Sequence, residues 1–162
     1  ATLMSMEIEM TAKAQRYATL LSQAISLAEG ESDAIAVMAN LSALVHREFG
    51  FWWTGFYIVR NSAKDGIGEL VLGPFQGPVA CMHIGKGRGV CGTAWERGET
   101  IVVKDVEQFP GHIACSSESR SEIVVPIKKD GNVIAVLDID SENLATFDEV
   151  DKEWLEKIVT IP

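Results

Sequence analysis

SEIVVPIKKDGNVIAVLDID, residues 121–140, is two β-branched runs separated by Asp130-Gly131. Asp-Gly between two such runs is among the strongest short-range hairpin signals, because both turn residues must adopt positive φ. Residues 121–129 and 132–140 are therefore read as antiparallel neighbours. A doubly wound parallel sheet would need a helical crossover between them, and none fits.

The same reading extends upstream. FWWTGFYIV (51–59), GELVLGPF (68–75), GPVACMHI (77–84) and TIVVKD (100–105) give four further strands, with Lys64-Asp65-Gly66 as a hairpin tip. Two helices precede them. Residues 7–27 carry apolar positions at Ala14, Tyr17, Leu20, Leu21, Ile25 and Leu27, and residues 33–48 follow a Ser32 cap and stop at Gly50. A glycine-rich loop from Gly85 runs into a short helix that ends at Gly98. Phe147, Val150, Trp154, Ile158 and Ile161 mark a closing amphipathic helix. The predicted class is α+β: a mostly antiparallel sheet of about six strands flanked by N- and C-terminal helices. Residues 6–162 are read as one domain, and residues 1–5 as a disordered or added N-terminal remnant. The apolar face of the first helix offers a surface on which two chains could pair as a homodimer.

Composition narrows the partners. The chain has 162 residues, is 47% hydrophobic and carries a formal charge of −9. An acidic chain lacks the basic face that nucleic acid or an anionic membrane requires. No leader-like N-terminus and no run approaching the ~20 apolar residues of a membrane span is present, so a cytoplasmic location is expected. Three cysteines, Cys81, Cys91 and Cys115, are an odd number for a static disulfide framework and suit redox chemistry in a reducing compartment.

All three thiols fall in two long irregular segments, 73–98 and 105–122. Free cysteine is usually buried packing, so thiols gathered in loops point to reactivity. Metal binding is not expected: Cys81, His83, Cys91, His112 and Cys115 include no short ligand pair. GRGVCG (87–92) matches GxGxxG, with Glu107 downstream, but the helix that follows is too short for a dinucleotide-binding crossover. Its glycines are read as allowing close backbone approach. Cys91 lies near a helix N-terminus, which would lower its thiol pKa.

Acids flank the hairpin. Asp138 and Asp140 are two apart on a strand and share a face. Glu122 opens the partner strand, roughly opposite Asp138. Acids beside apolar Val136, Leu137 and Ile139 must find partners or take up protons, so at least one should serve as a proton donor near neutral pH. Trp52, Trp53, Trp95 and Trp154 suit packing, His46 a structural role, and His112 lies close enough in sequence to tune Cys115.

Five segments then form an ordered resemblance. GPFQGPVAC (73–81), GRGVCGTAW (87–95), GHIAC (111–115), SEIVVP (121–126) and IAVLDIDS (134–141) resemble the free methionine-(R)-sulfoxide reductases, which are GAF-fold enzymes, from Trp53 to about Trp154. The resemblance implies that Cys115 attacks the sulfoxide sulfur, methionine leaves and a sulfenic acid forms. It implies that Cys81, or Cys91, condenses with that acid to a disulfide. Thioredoxin, or dithiothreitol in vitro, then reduces it, with no bound cofactor. Glu122, Asp138 and Asp140 fall on the family's acidic binding positions and Trp53 on the aromatic that packs against the substrate methyl. Preference for the R epimer rests on the resemblance alone. Three rival readings stay open: a GAF small-ligand sensor, a redox sensor without substrate, and a reductase of peptide-bound methionine sulfoxide. Methionine release separates the first, substrate-dependent disulfide formation the second, and activity on a blocked substrate the third.

Overall fold

In the computed structural model, which describes residues 10–61, 66–112 and 118–162, the Asp130-Gly131 turn forms as expected. Both residues have positive φ, 53° and 80°, and join β5 (Ser121–Lys129) to β6 (Asn132–Ser141). The remaining strands are β1 (Trp53–Arg60), β2 (Glu69–Gln76), β3 (His83–Gly85) and β4 (Ile101–Val103). They make one six-stranded sheet in the order β3-β2-β1-β6-β5-β4, with each neighbouring pair antiparallel. The α+β class and the strand number hold. The tip residues Lys64 and Asp65 lie outside the described residues.

Strand alternation sends the two sheet faces into separate cores. Phe56 on β1, Ile123, Val125 and Ile127 on β5, and Ala135, Leu137 and Ile139 on β6 pack under α1 (Ala12–Ala28), α2 (Ala34–Phe49) and α4 (Glu149–Ile158). Trp53, Tyr57, Val124 and Val136 face the other way, against α3 (Gly89–Arg97) and the segments around it. On the first side, Asp151 of α4 is 1% exposed and accepts from the Tyr17 hydroxyl at 2.6 Å and from Lys13 Nζ at 2.8 Å. That network ties the first helix to the last.

Four local expectations change. The first helix begins at Ala12, where Thr11 Oγ1 accepts from the Ala14 amide. Its buried stripe runs through Ala24, leaving Ile25 and Leu27 exposed. Asp33, not Ser32, caps α2: a carboxylate is the stronger acceptor, and it takes the Ile35 amide at 2.9 Å. The closing helix is shorter than 147–161, because Asp148 and Asp151 form a capping box that fixes its start. The third strand contracts from 77–84 to three residues. Gly77, at φ 127°, and Pro78 turn the chain out of the ladder, so residues 77–82 cross the sheet face as an irregular segment.

Candidate active site

The second face carries the chemistry, and the strand register builds it row by row. In one row Trp53 pairs with Asp140, Asp140 with Glu122, and Glu122 with Val103. In the next, Gly55 pairs with Asp138 and Asp138 with Val124. Paired residues on antiparallel strands share a face, so Glu122, Asp138 and Asp140 converge as expected. The register differs from expectation by two residues: Glu122 lies opposite Asp140, not Asp138. One of those residues comes from the turn, whose Lys129–Asn132 pairing already sets Glu122 opposite Ile139, and the other from a register shift between Ile127 and Lys128, a bulge that the turn residues do not announce.

These three acids, Trp53, Tyr57, Cys91 and His112 line one pocket, closed on one side by residues 78–80 and by the start of α3. Glu122 and Asp138 are 6% and 5% exposed. Burial pushes the Glu122 carboxyl well above the usual carboxylate range, and the charges of Asp138 and Asp140 push it further. Burial likewise raises Asp138, against hydrogen bonds from Glu122, Cys91 and Asp140 that favour its ionised form. Asp140 is raised by burial and by Asp138, while Ser119 donates to its Oδ1 at 2.9 Å. One oxygen, Asp138 Oδ1, is buried with no hydrogen-bond partner among the described residues. Such an acceptor is costly to leave unmet.

The aromatic wall is held by glycines. The Trp53 ring lies over Gly55, where a Cβ would fall 2.6 Å from ring atom Cη2. Its centroid is 5.2 Å from that of Phe75 and 5.8 Å from that of Tyr57. Gly92 plays a similar part in the glycine-rich loop, where a Cβ would sit 2.4 Å from the Gly85 carbonyl oxygen. The close approach expected of GRGVCG is therefore made within its own loop.

The cysteines separate into distinct situations. Cys81 is half-buried and disulfide-bonded. Cys91 is a free thiol, 4% exposed, at the third residue of α3. Its expected acidity is reversed: burial, then the charges of Asp138, Glu122 and Asp140, push the thiol well up, and these outweigh the helix terminus. Cys115 lies outside the described residues. His112 is half-buried, its imidazole held below the ordinary value by burial, with Asp138 pulling the other way.

Chemically, the pocket can bind a cation and deliver a proton. Cys91, Glu122 and Asp138 bring ligand atoms within 4.8 Å of one another, a set different from the cysteines and histidines weighed for a metal in the sequence. Trp52 is half-buried, Trp95 packs in the core of this face, and Trp154 packs on the opposite core. His46 holds Thr54 Oγ1 at 3.0 Å. Sequence reasoning missed Tyr57, Ser119 and Arg88. Tyr57 closes the stretch WTGFY (53–57) that carries Trp53, but the sequence assigned a role to Trp53 alone. Arg88 lines the mouth and precedes α3, which opens without a side-chain cap. The Arg88 cation and the uncapped amides together give the pocket an electropositive edge.

The chain matches the GAF domain over residues 31–161. It is 52% identical to GAF domain-containing protein A of Dictyostelium discoideum, covering 96% of both chains. It is 42% identical to the free methionine-R-sulfoxide reductase of Escherichia coli, covering 91% of this chain and 86% of that one. Among solved structures it resembles free methionine-R-sulfoxide reductase from Neisseria meningitidis in complex with its substrate, at 50% identity and a TM-score of 0.88 over 94% of this chain and 89% of that one. The chain belongs to the free methionine-R-sulfoxide reductase family of GAF-domain proteins.

Proposed function

We propose that the chain reduces free L-methionine-(R)-sulfoxide to L-methionine through a cysteine sulfenic acid and an intramolecular disulfide recycled by thioredoxin. The observation that carries this is the buried carboxyl cluster beside Trp53, with Asp138 Oδ1 unmet. A sulfoxide oxygen leaves only after accepting a proton, and carboxyls with raised pKa hold one near neutrality. Glu122 is the donor. Asp138 and Asp140 receive the substrate ammonium, Arg88 and the start of α3 face its carboxylate, and Trp53 packs on the methyl.

In the first step the Cys115 sulfur attacks the sulfoxide sulfur. Two electrons pass to it, the oxygen ends on Cys115 as –SOH, and methionine leaves. In the second step a thiol attacks the sulfenic sulfur: the S–S bond forms, the S–O bond breaks, and hydroxide leaves as water with the thiol proton. Cys81 supplies that thiol. The choice of Cys81 over Cys91 is supported by the disulfide at Cys81 and by the buried, protonated thiol at Cys91. A dithiol reductant then regenerates both cysteines.

The test is methionine release from the R and S epimers and from a blocked peptide substrate, with dithiothreitol or thioredoxin. The R epimer of the free amino acid alone should turn over. Cys115→Ser should release none, and Cys81→Ser about one methionine per enzyme before stalling with thioredoxin. Turnover by Cys115→Ser would overturn the assignment, and absence of turnover in the unaltered protein would leave a sensor.

A further inference from the structure

We infer that Tyr57 is a positioning residue for the second chemical step: its hydroxyl holds the Cys81 backbone where the thiol can meet the sulfenic sulfur. The inference rests on the function proposed above. Residues 77–82 leave the sheet after Gly77 and regain it only at His83, so they lack a continuous ladder. Their large side chains do not anchor them, since Val79 is 89% and Met82 67% exposed. Besides the disulfide at Cys81, which is absent when the thiol must attack, the segment is held from beneath by two side-chain donors on β1. Trp53 Nε1 donates to the Pro78 carbonyl at 3.0 Å, and Tyr57 Oη donates to the Cys81 carbonyl at 2.9 Å. One backbone bond, from the Leu72 amide to the Met82 carbonyl at 2.9 Å, fixes the far end.

The spacing matters. Residues 53 and 57 are on the same face of β1, with Gly55 between them, and their rings stack. Tyr57 is 2% exposed, stacks on Trp53, pairs with Val136 and belongs with both to one core. Its hydroxyl cannot swing to another acceptor without disturbing that packing. Burial, then the Asp138 charge, raise its phenol far above the ordinary range, so the group remains a donor at working pH. Each of the two indole and phenol donors therefore has a second task besides forming the wall: together they pin the strap that carries the thiol. The first chemical step does not use that strap's thiol. The second does, and a thiol displaced by about 1 Å forfeits much of the advantage of an intramolecular reaction.

The experiment is Tyr57→Phe, which keeps the ring and removes the donor. Single-turnover quench without reductant reads methionine formation. Dimedone labelling with intact-mass detection reads the lifetime of the sulfenic acid. Thermal melting confirms that the variant folds. Disulfide formation should slow by about fivefold, the factor carried by one net hydrogen bond, with the sulfenic acid correspondingly longer-lived and methionine formation slowed less. In a Cys81→Ser background the same substitution should leave the sulfenic acid lifetime unchanged. Equal slowing of both steps would overturn positioning in favour of a general packing role. So would an unchanged lifetime in Tyr57→Phe, or an effect that persists in Cys81→Ser. Failure of the unaltered protein to release methionine would instead overturn the proposed function, and is read in the same quench experiment.

Discussion

Glu122→Gln should stabilise the protein at neutral and alkaline pH while disabling it. Glu122 is 6% exposed, and its carboxyl lies within 4.8 Å of a ligand atom of Asp138. Two unit charges no more than 4.8 Å apart repel by at least about 3 kcal/mol at an effective dielectric of about 20. Burial and this repulsion together raise the Glu122 carboxyl in the folded state. The sign follows from linkage. The native state holds the proton more tightly than the unfolded chain, so the contribution is fully present below the unfolded carboxyl pKa. It is lost as pH rises through the raised folded value. Glutamine keeps the shape and never ionises, so the variant escapes the loss.

The variant and the unaltered protein should thus match in stability near pH 4 and diverge above it, reaching about 3 kcal/mol in favour of glutamine. For a domain of 162 residues that corresponds to a Tm higher by roughly 6–12 °C. Thermal unfolding from pH 4 to 9, taken as the difference between the two proteins, reads it directly and cancels titrations common to both. The variant should also lose about 10²-fold or more in kcat/KM, the contribution of a positioned acid. A stability difference flat with pH, or one that favours glutamate as pH rises, would refute the raised carboxyl and with it the proton-donor role.

Gly55→Ala would place a Cβ 2.4 Å from Phe75 Cβ and 2.6 Å from the Trp53 ring. The expected cost is about 1–3 kcal/mol in denaturant unfolding, and KM should rise more than kcat falls because the aromatic wall of the pocket moves. Asp151→Asn removes the charge that Lys13 and Tyr17 share at 2.8 and 2.6 Å. It should lower stability by about 3 kcal/mol, seen as a Tm fall of roughly 6–12 °C, with kcat/KM unchanged because the network lies on the opposite face of the sheet.

The hairpin, the strand count and the acid cluster were legible because each rests on local chemistry. Asp130-Gly131 names its turn type, and alternation fixes which side chains share a face. What escaped depends on contacts made at long range. The third strand failed because the carbonyls of Pro78 and Cys81 find Trp53 and Tyr57 instead of a neighbouring strand. Cys91 sits at a helix start, as the sequence indicates, yet its thiol is pushed up by burial and then by Asp138 and Glu122, which approach from strands 47 and 31 residues later. The sequence assigned Tyr57 no role; its partner is set by the path of residues 77–82.

The acid cluster itself depends on one residue that touches none of its members. From the turn, Lys129 pairs with Asn132 and Lys128 with Val133. A strict ladder continued from those pairs would set Glu122 opposite Ile139. Ile139 belongs to the helix-side core, so Glu122 would be driven under α1, α2 and α4, and the pocket would lose that carboxyl. The observed pairing instead moves to Ile127 with Ala135, leaving Ile134 as the extra residue on β6, 36% exposed. That insertion changes the parity of every pair beyond it. It brings Glu122 onto the row of Asp140 and Trp53, and it lets Ile123, Val125 and Leu137 keep the apolar face. The turn chooses the strands, but the bulge chooses the face, and Glu122 reaches the pocket because the two are offset by a single residue.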